Sequence, residues 1–301
     1  MRRRRRAAAA VGAAVLAASV AACGGGGPAA SPQRSATSSP TPSAPASAPA
    51  PALTTTPPVD APAASPAGPV WVVGASPLPL RPDGFGQVLP TPQVLRDRRM
   101  TAADRLPPPA DGRFAATVAP ISAQVRERMG RSWSERCPVA LADLRYLTLS
   151  FVGFDGRAHT GELVVATHVA DDVVSVFRQL FAARFPIEEM RLITTADLEA
   201  PPTGDGNNTA GYVCRAARGQ TRWSQHAYGT AVDVNPFHNP LVKRDLVLPE
   251  LASAYADRAT VRPGMHLPGG PAVEAFRSVG WGWGGTWRSS KDYMHFSASG
   301  T

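Results

Sequence analysis

From Gly24 to Pro69 the chain is almost entirely proline, alanine, serine, threonine and glycine, and that tract limits what the rest can become. It carries almost no large apolar side chain, so ordering it would cost backbone entropy with no buried surface to offset the loss. An extended, disordered tether is expected there, with the folded mass placed after it. In a chain of 301 residues this still leaves enough for one sizeable domain. No internal repeat is visible.

Ahead of the tether stand "MRRRRR" and "AAAAVGAAVLAASVAAC", a basic region and a short apolar run ending in small residues. This is the pattern of an export signal, too short for a stable membrane span. Its end, Val20–Cys23, resembles a bacterial lipobox, in which the cysteine is lipidated and becomes the mature N-terminus. Ordinary cleavage nearby, leaving a free thiol, is the plainer alternative. The expected organisation is a lipoprotein signal over 1–22 and a tether over 23–69 anchored through Cys23. A semi-ordered Pro-rich segment follows over 70–112, where Val70–Val73 could add an edge strand, and then a domain over 113–301. The expected location is extracytoplasmic, on the outer face of a bacterial plasma membrane.

Export changes the charge argument. The formal net charge is +8, but five of the 31 basic side chains are Arg2–Arg6, so the processed chain carries only about +3. That is weak ground for nucleic-acid binding, which needs Lys and Arg clustered along a face, and no nucleic-acid partner is expected. With Cys23 lipidated, Cys137 and Cys214 remain as a pair. In an oxidising compartment they are a disulfide candidate, with two separate buried thiols as the alternative. Neither lies in a Cys-x-x-Cys spacing, so a thiolate metal site is not expected.

Periodicity then supplies the elements. In "APISAQVRERMGRSW" (119–133), Ile121, Val125 and Met129 recur at helical spacing. "LRYLTLSFVGF" and "GELVVATHVA" read as two strands joined by the turn "DGRAH". "DDVVSVFRQLFAARF" reads as a helix capped by an aspartate, "MRLIT" as a strand, and "GDGNNTAGY" as a polar loop. "GTAVDVNP" is the next strand, "PAVEAFRSVG" a helix stopping at Gly280, and "DYMHFS" a closing strand. The expected class is α+β: a small antiparallel sheet with flanking helices, built as one monomeric domain.

Six histidines occur, at 159, 168, 226, 238, 266 and 295. A lone histidine is more often a surface or satisfied core residue than a ligand, so each needs company. His226 has it in Asp233, seven residues on in "SQHAYGTAVDVNP". Imidazole plus carboxylate suits Zn²⁺, and a catalytic zinc site usually takes three protein ligands and leaves one position open. The C-terminal "DYMHF" offers His295 as the third ligand, with Asp292 three residues before it as a base for a water whose pKa the metal would lower. On spacing alone such pairs also arise by chance.

"SQHAYGTAVDVNPFHNP" together with "GWGWGGTWRSSKDYMHFS" closely resembles metallopeptidase family M15, in its D-alanyl-D-alanine carboxypeptidase and L-alanyl-D-glutamate endopeptidase branches. The pattern Ser-x-His-x-x-Gly-x-Ala-x-Asp is met by Ser224, His226, Gly229, Ala231 and Asp233. The element Trp-Gly-Gly-x-Trp…Asp-x-x-His-Phe is met by Trp283, Gly284, Gly285, Trp287, Asp292, His295 and Phe296. "HTGELVV", "FPIEEMRLI" and "NNTAGYVCR" extend the resemblance to roughly Cys137–Ser297. It implies zinc, on the sheet, held by His226, Asp233 and His295, with Asp292 as general base; some members carry Glu there. Ser224 would orient the loop or a ligand.

For substrate binding the family uses an arginine, and Arg191 and Arg215 are the local candidates, each equally readable as a surface arginine. Trp281, Trp283 and Trp287 could line a groove or simply pack the core, and Asn207, Asn208 and Thr209 could shape a loop or form turns. His238 reads as a loop residue, and His159, His168 and His266 as structural or surface groups. The implied activity is zinc-dependent hydrolysis of peptidoglycan stem peptides. The competing reading is a non-catalytic, zinc-containing wall-binding or sensor lipoprotein. A dead homologue usually lacks a ligand or the base, and here all four positions are filled.

Overall fold

The computed structural model describes residues 71–217 and 220–301. The expected signal, the lipidated Cys23 and the tether lie outside the described residues.

The centre of the domain is a three-stranded antiparallel sheet of β1 (Ala116–Pro120), β2 (Leu144–Val152) and β3 (Ala158–Ala166). Strands β2 and β3 pair along their whole length, from Leu144 opposite Ala166 to Val152 opposite Ala158. Alternation along β2 sends Leu147, Leu149 and Phe151 to one face, where they meet Leu163 and Val165 of β3. Helix α2 (Ala170–Ala182) covers that face with Val173, Val176, Phe177 and Leu180, all buried. The other face carries Leu144, Tyr146 and Val164. It is covered by Val125 and Met129 of α1 (Ala123–Met129), two of the three apolar residues whose spacing predicts that helix. Helix α2 begins at Ala170 behind Val169, so Asp171 and Asp172 occupy its first turn and neither is the cap.

After α2 the elements shorten. Strand β4 (Glu189–Met190) is two residues long, and just beyond it the Arg191 guanidinium turns to Asp197 in the first turn of α3 (Thr195–Glu199). It pairs in parallel with β5 (Asn208–Thr209), inside the stretch expected as loop. Two small antiparallel sheets follow. One joins β7 (Leu241–Lys243), β8 (Leu246–Leu248) and β10 (Lys291–Asp292); the other joins β6 (Ala231–Asp233), β9 (Gly282–Trp283) and β11 (His295–Ser297). Helix α4 (Ser253–Ala256) is a single turn. Helix α5 (Pro271–Ser278) packs on α2 and stacks Phe276 on Phe296 of β11, with ring centroids 3.9 Å apart.

The fold is therefore mixed, with few helices and several small antiparallel sheets, where the sequence suggested one. The closing strand "DYMHFS" is in fact two strands, β10 and β11, in different sheets. Trp71–Val73 adds no strand. The segment 71–112 has little regular structure, yet it is held down. Asp205 accepts from the Trp71 indole at 2.9 Å, and Leu95 is buried beside Phe237 and Tyr255. The Arg98 fork grips Glu188 at 2.8 and 2.5 Å, fully out of water. Cys137 and Cys214 are joined as a disulfide. No helix among the described residues is long and apolar enough to cross a membrane.

Candidate metal centre

His226 lies on a single 3-10 turn, Gln225–Tyr228. Ser224 begins that turn, its hydroxyl accepting from the His226 amide at 3.4 Å. Gly229 ends it in a left-handed conformation, φ +69°, where a β-carbon would also stand 2.6 Å from the Ala166 amide nitrogen. The chain then enters β6 and reaches Asp233. On the neighbouring β11, His295 is the direct cross-strand partner of Asp233.

These three side chains converge. The His226 Nε2 lies 3.2 Å from Asp233 Oδ2, the His295 Nδ1 lies 3.1 Å from Asp233 Oδ1, and the two ring nitrogens are 3.2 Å apart. All the candidate ligand atoms fall within 4.8 Å of one another. The far nitrogens set the tautomers. His226 donates Nδ1–H to the Gly211 carbonyl at 2.6 Å, and His295 turns Nε2 to the Thr301 carbonyl at 3.4 Å. The near nitrogens of both rings face each other beside the carboxylate, and as neutral imidazoles they would turn lone pairs inward, so the donor set fits a divalent metal.

Burial by itself would raise the Asp233 carboxyl, but the charges and hydrogen bonds of His226 and His295 outweigh it and hold the group well below the usual carboxylate range. The Trp287 ring tilts against His295 at 5.4 Å and donates its N–H to the Gly300 carbonyl, pinning the segment that carries Thr301.

Asp292 is half-buried on β10, opposite Leu241. Two residues, Tyr293 and Met294, carry the chain from there to His295. Arg215 is half-buried and lies beside the His226 turn: its carbonyl accepts from the Ser224 amide at 3.1 Å, next to the bridge between Ala216 and Trp223.

Two substrate-binding candidates are engaged elsewhere. The Arg191 fork is held by Asp197 at 2.7 and 2.8 Å and by Glu189 at 2.9 Å, a set of bonds that fixes the start of α3. Trp283 is buried, donates its N–H to the Tyr293 carbonyl and packs on Tyr293 and Phe296, which makes it core and not the wall of a groove. Ser224 acts through the turn it caps. Gly211 and Thr301 escape sequence reasoning as parts of the site, because a backbone carbonyl behind a ligand leaves no mark in residue type; Trp287, part of the family pattern, stands beside His295.

Of the remaining histidines, His168 is exposed and the other three are buried in the structure. His159 is buried between Asp104 and Asp155, at 2.7 and 3.0 Å. His238 bonds Asn207 and the Arg98 carbonyl, and burial pushes its pKa down to about 3. Burial does the same to His266, also to about 3.

Residues 218–298 match a family model of the M15 peptidases, described as D-alanyl-D-alanine carboxypeptidase. Over this span, about a quarter of the chain, the sequence is similar to the M15 peptidases. The matched span carries His226, Asp233, Asp292 and His295 together, and it supports a peptidase. Neither the curated proteins nor the solved structures include a match to the chain.

Proposed function

We propose that this protein is a zinc peptidase that hydrolyses peptidoglycan stem peptides at the cell envelope, held to the membrane through lipid on Cys23. One observation carries the reading: two imidazole nitrogens and a carboxylate converge within 4.8 Å of one another, and a second carboxylate, Asp292, stands one short crossover away. A closed structural zinc site would need a fourth protein ligand. The cluster offers three among the described residues.

His226, Asp233 and His295 would hold the ion, and zinc bound there would supply Lewis acidity for a scissile carbonyl and lower the pKa of a water to about 7. Asp292 accepts the proton of the attacking water and returns it to the leaving amine, which balances the hydrolysis of one amide. Arg215, beside the His226 turn, receives the substrate carboxylate as a bidentate fork. The tether gives the domain reach from the membrane to the wall.

The test is digestion of purified peptidoglycan by the full chain. Release of free D-alanine marks carboxypeptidase action, and split stems mark endopeptidase action. Either must stop with chelator and return with added zinc. Hydrolysis indifferent to chelator contradicts the reading.

A further inference from the structure

We infer that His266 is a positioning residue: its imidazole N–H holds the Tyr293 carbonyl and so sets where Asp292 and His295 stand relative to each other. The inference rests on the peptidase reading for what that spacing achieves, but the clamp is defined by contacts of its own.

Asp292 belongs to the sheet of β7 and His295 to the sheet of β6, and the link between them is the Tyr293–Met294 crossover. A crossover between two sheets has no continuous ladder to hold it. Here the Tyr293 carbonyl accepts two buried side-chain donors, Trp283 Nε1 at 2.8 Å and His266 Nδ1 at 2.8 Å. Two donors at fixed angles orient that peptide plane, and with it the residues on either side.

The loop carrying His266 is itself fixed to the same tyrosine. Arg258 lies 4.5 Å over the Tyr293 ring and donates to the His266 carbonyl at 2.5 Å and to Asn239 Oδ1 at 3.0 Å. Asn239 Oδ1 in turn accepts from the His266 amide at 2.6 Å. Backbone, ring and carbonyl are thus tied into one unit.

The rest of the imidazole explains little. Its Nε2 is buried with no hydrogen-bond partner among the described residues, with the rings of Phe185 and Phe296 at 5.5 and 5.0 Å. A phenylalanine would fill such a space without leaving a polar atom unpaired. What the histidine adds over an aromatic hydrocarbon is the single bond from Nδ1.

The experiment compares His266→Phe, which keeps the ring and loses the donor, with His266→Asn, whose amide nitrogen falls where Nδ1 was. In the zinc-loaded full chain, His266→Phe is expected to lower kcat about 10- to 100-fold with KM and zinc content unchanged, and His266→Asn to recover most of the loss. In the metal-free chain, the backbone amides of 292–296 should exchange faster in His266→Phe and return to the wild-type rate in His266→Asn. Trp283→Phe, which removes the other donor, should quicken the same amides and covers the case in which His266→Phe does not fold. Wild-type exchange at 292–296 in these variants, or equal loss in the Phe and Asn variants, overturns the clamp. A wild-type chain that cleaves no stem peptide overturns the peptidase reading alone, because the exchange measurement needs neither metal nor substrate.

Discussion

The His226 ring carries its proton on Nδ1 because the Gly211 carbonyl is 2.6 Å away, and that carbonyl is where it is because residue 211 has no side chain. A β-carbon there would stand 2.5 Å from the Val164 carbonyl oxygen of β3. Gly211→Ala must therefore push the segment off the sheet and carry the acceptor away from His226. Metal affinity is expected to fall about 10- to 100-fold, read by competition with a chelating indicator; unchanged affinity would show that the carbonyl does not govern the ligand. At this scale the convergence of His226, Asp233 and His295 was legible in advance, since these residues are chemically distinctive and spaced in a family pattern. The groups behind them were not, being the backbone carbonyls of Gly211 and Thr301. The two arginines could not be told apart either. Only their surroundings, the Asp197 carboxylate at Arg191 and the His226 turn at Arg215, separate them.

Among the elements, the long ones were readable and the short ones were not. β2 shows a period of two from Leu147 to Phe151 and α2 one of about 3.6, whereas β3 is buried on both faces and reads as an apolar run from Leu163 to Ala166. "DYMHFS" reads as a single strand because alternation does not reveal a change of partner, and here Asp292 pairs with Leu241 whereas His295 pairs with Asp233. The segment 71–112 was the larger surprise. Its prolines deny it a ladder, so it is attached by side chains, above all by Arg98, whose guanidinium is fully buried against Glu188 and over the Phe237 ring at 4.5 Å. Asn207 completes the set by donating to Glu188 at 2.8 Å. Arg98→Ala leaves that carboxylate buried without its counter-charge, which costs about 3–5 kcal/mol. Denaturant unfolding should show the loss in the midpoint. A change within error would mean that the segment lies on the domain without supporting it.

For the whole molecule, two buried neutral histidines make stability depend on acid. His238 and His266 have folded pKa values near 3 against an ordinary value of 6.5. Between those values the unfolded chain binds protons that the folded chain refuses, so stability is complete above about pH 6.5 and falls as pH drops toward 3. Denaturant midpoints of the metal-free chain at pH 7.5 and pH 5.0 should differ in that sense, and a flat profile would contradict the burial of these rings. Whether the assembled molecule is an enzyme depends on four side chains from β6, β10, β11 and one 3-10 turn acting together. The most direct measurement is mass spectrometry of a defined stem-peptide muropeptide after incubation with the zinc-loaded full chain and, in parallel, with Asp292→Asn. The account predicts cleavage at one stem bond by the wild type and a rate about 10²- to 10⁴-fold lower in the variant, with its zinc retained. An intact muropeptide with the wild type, or undiminished cleavage by Asp292→Asn, would contradict it.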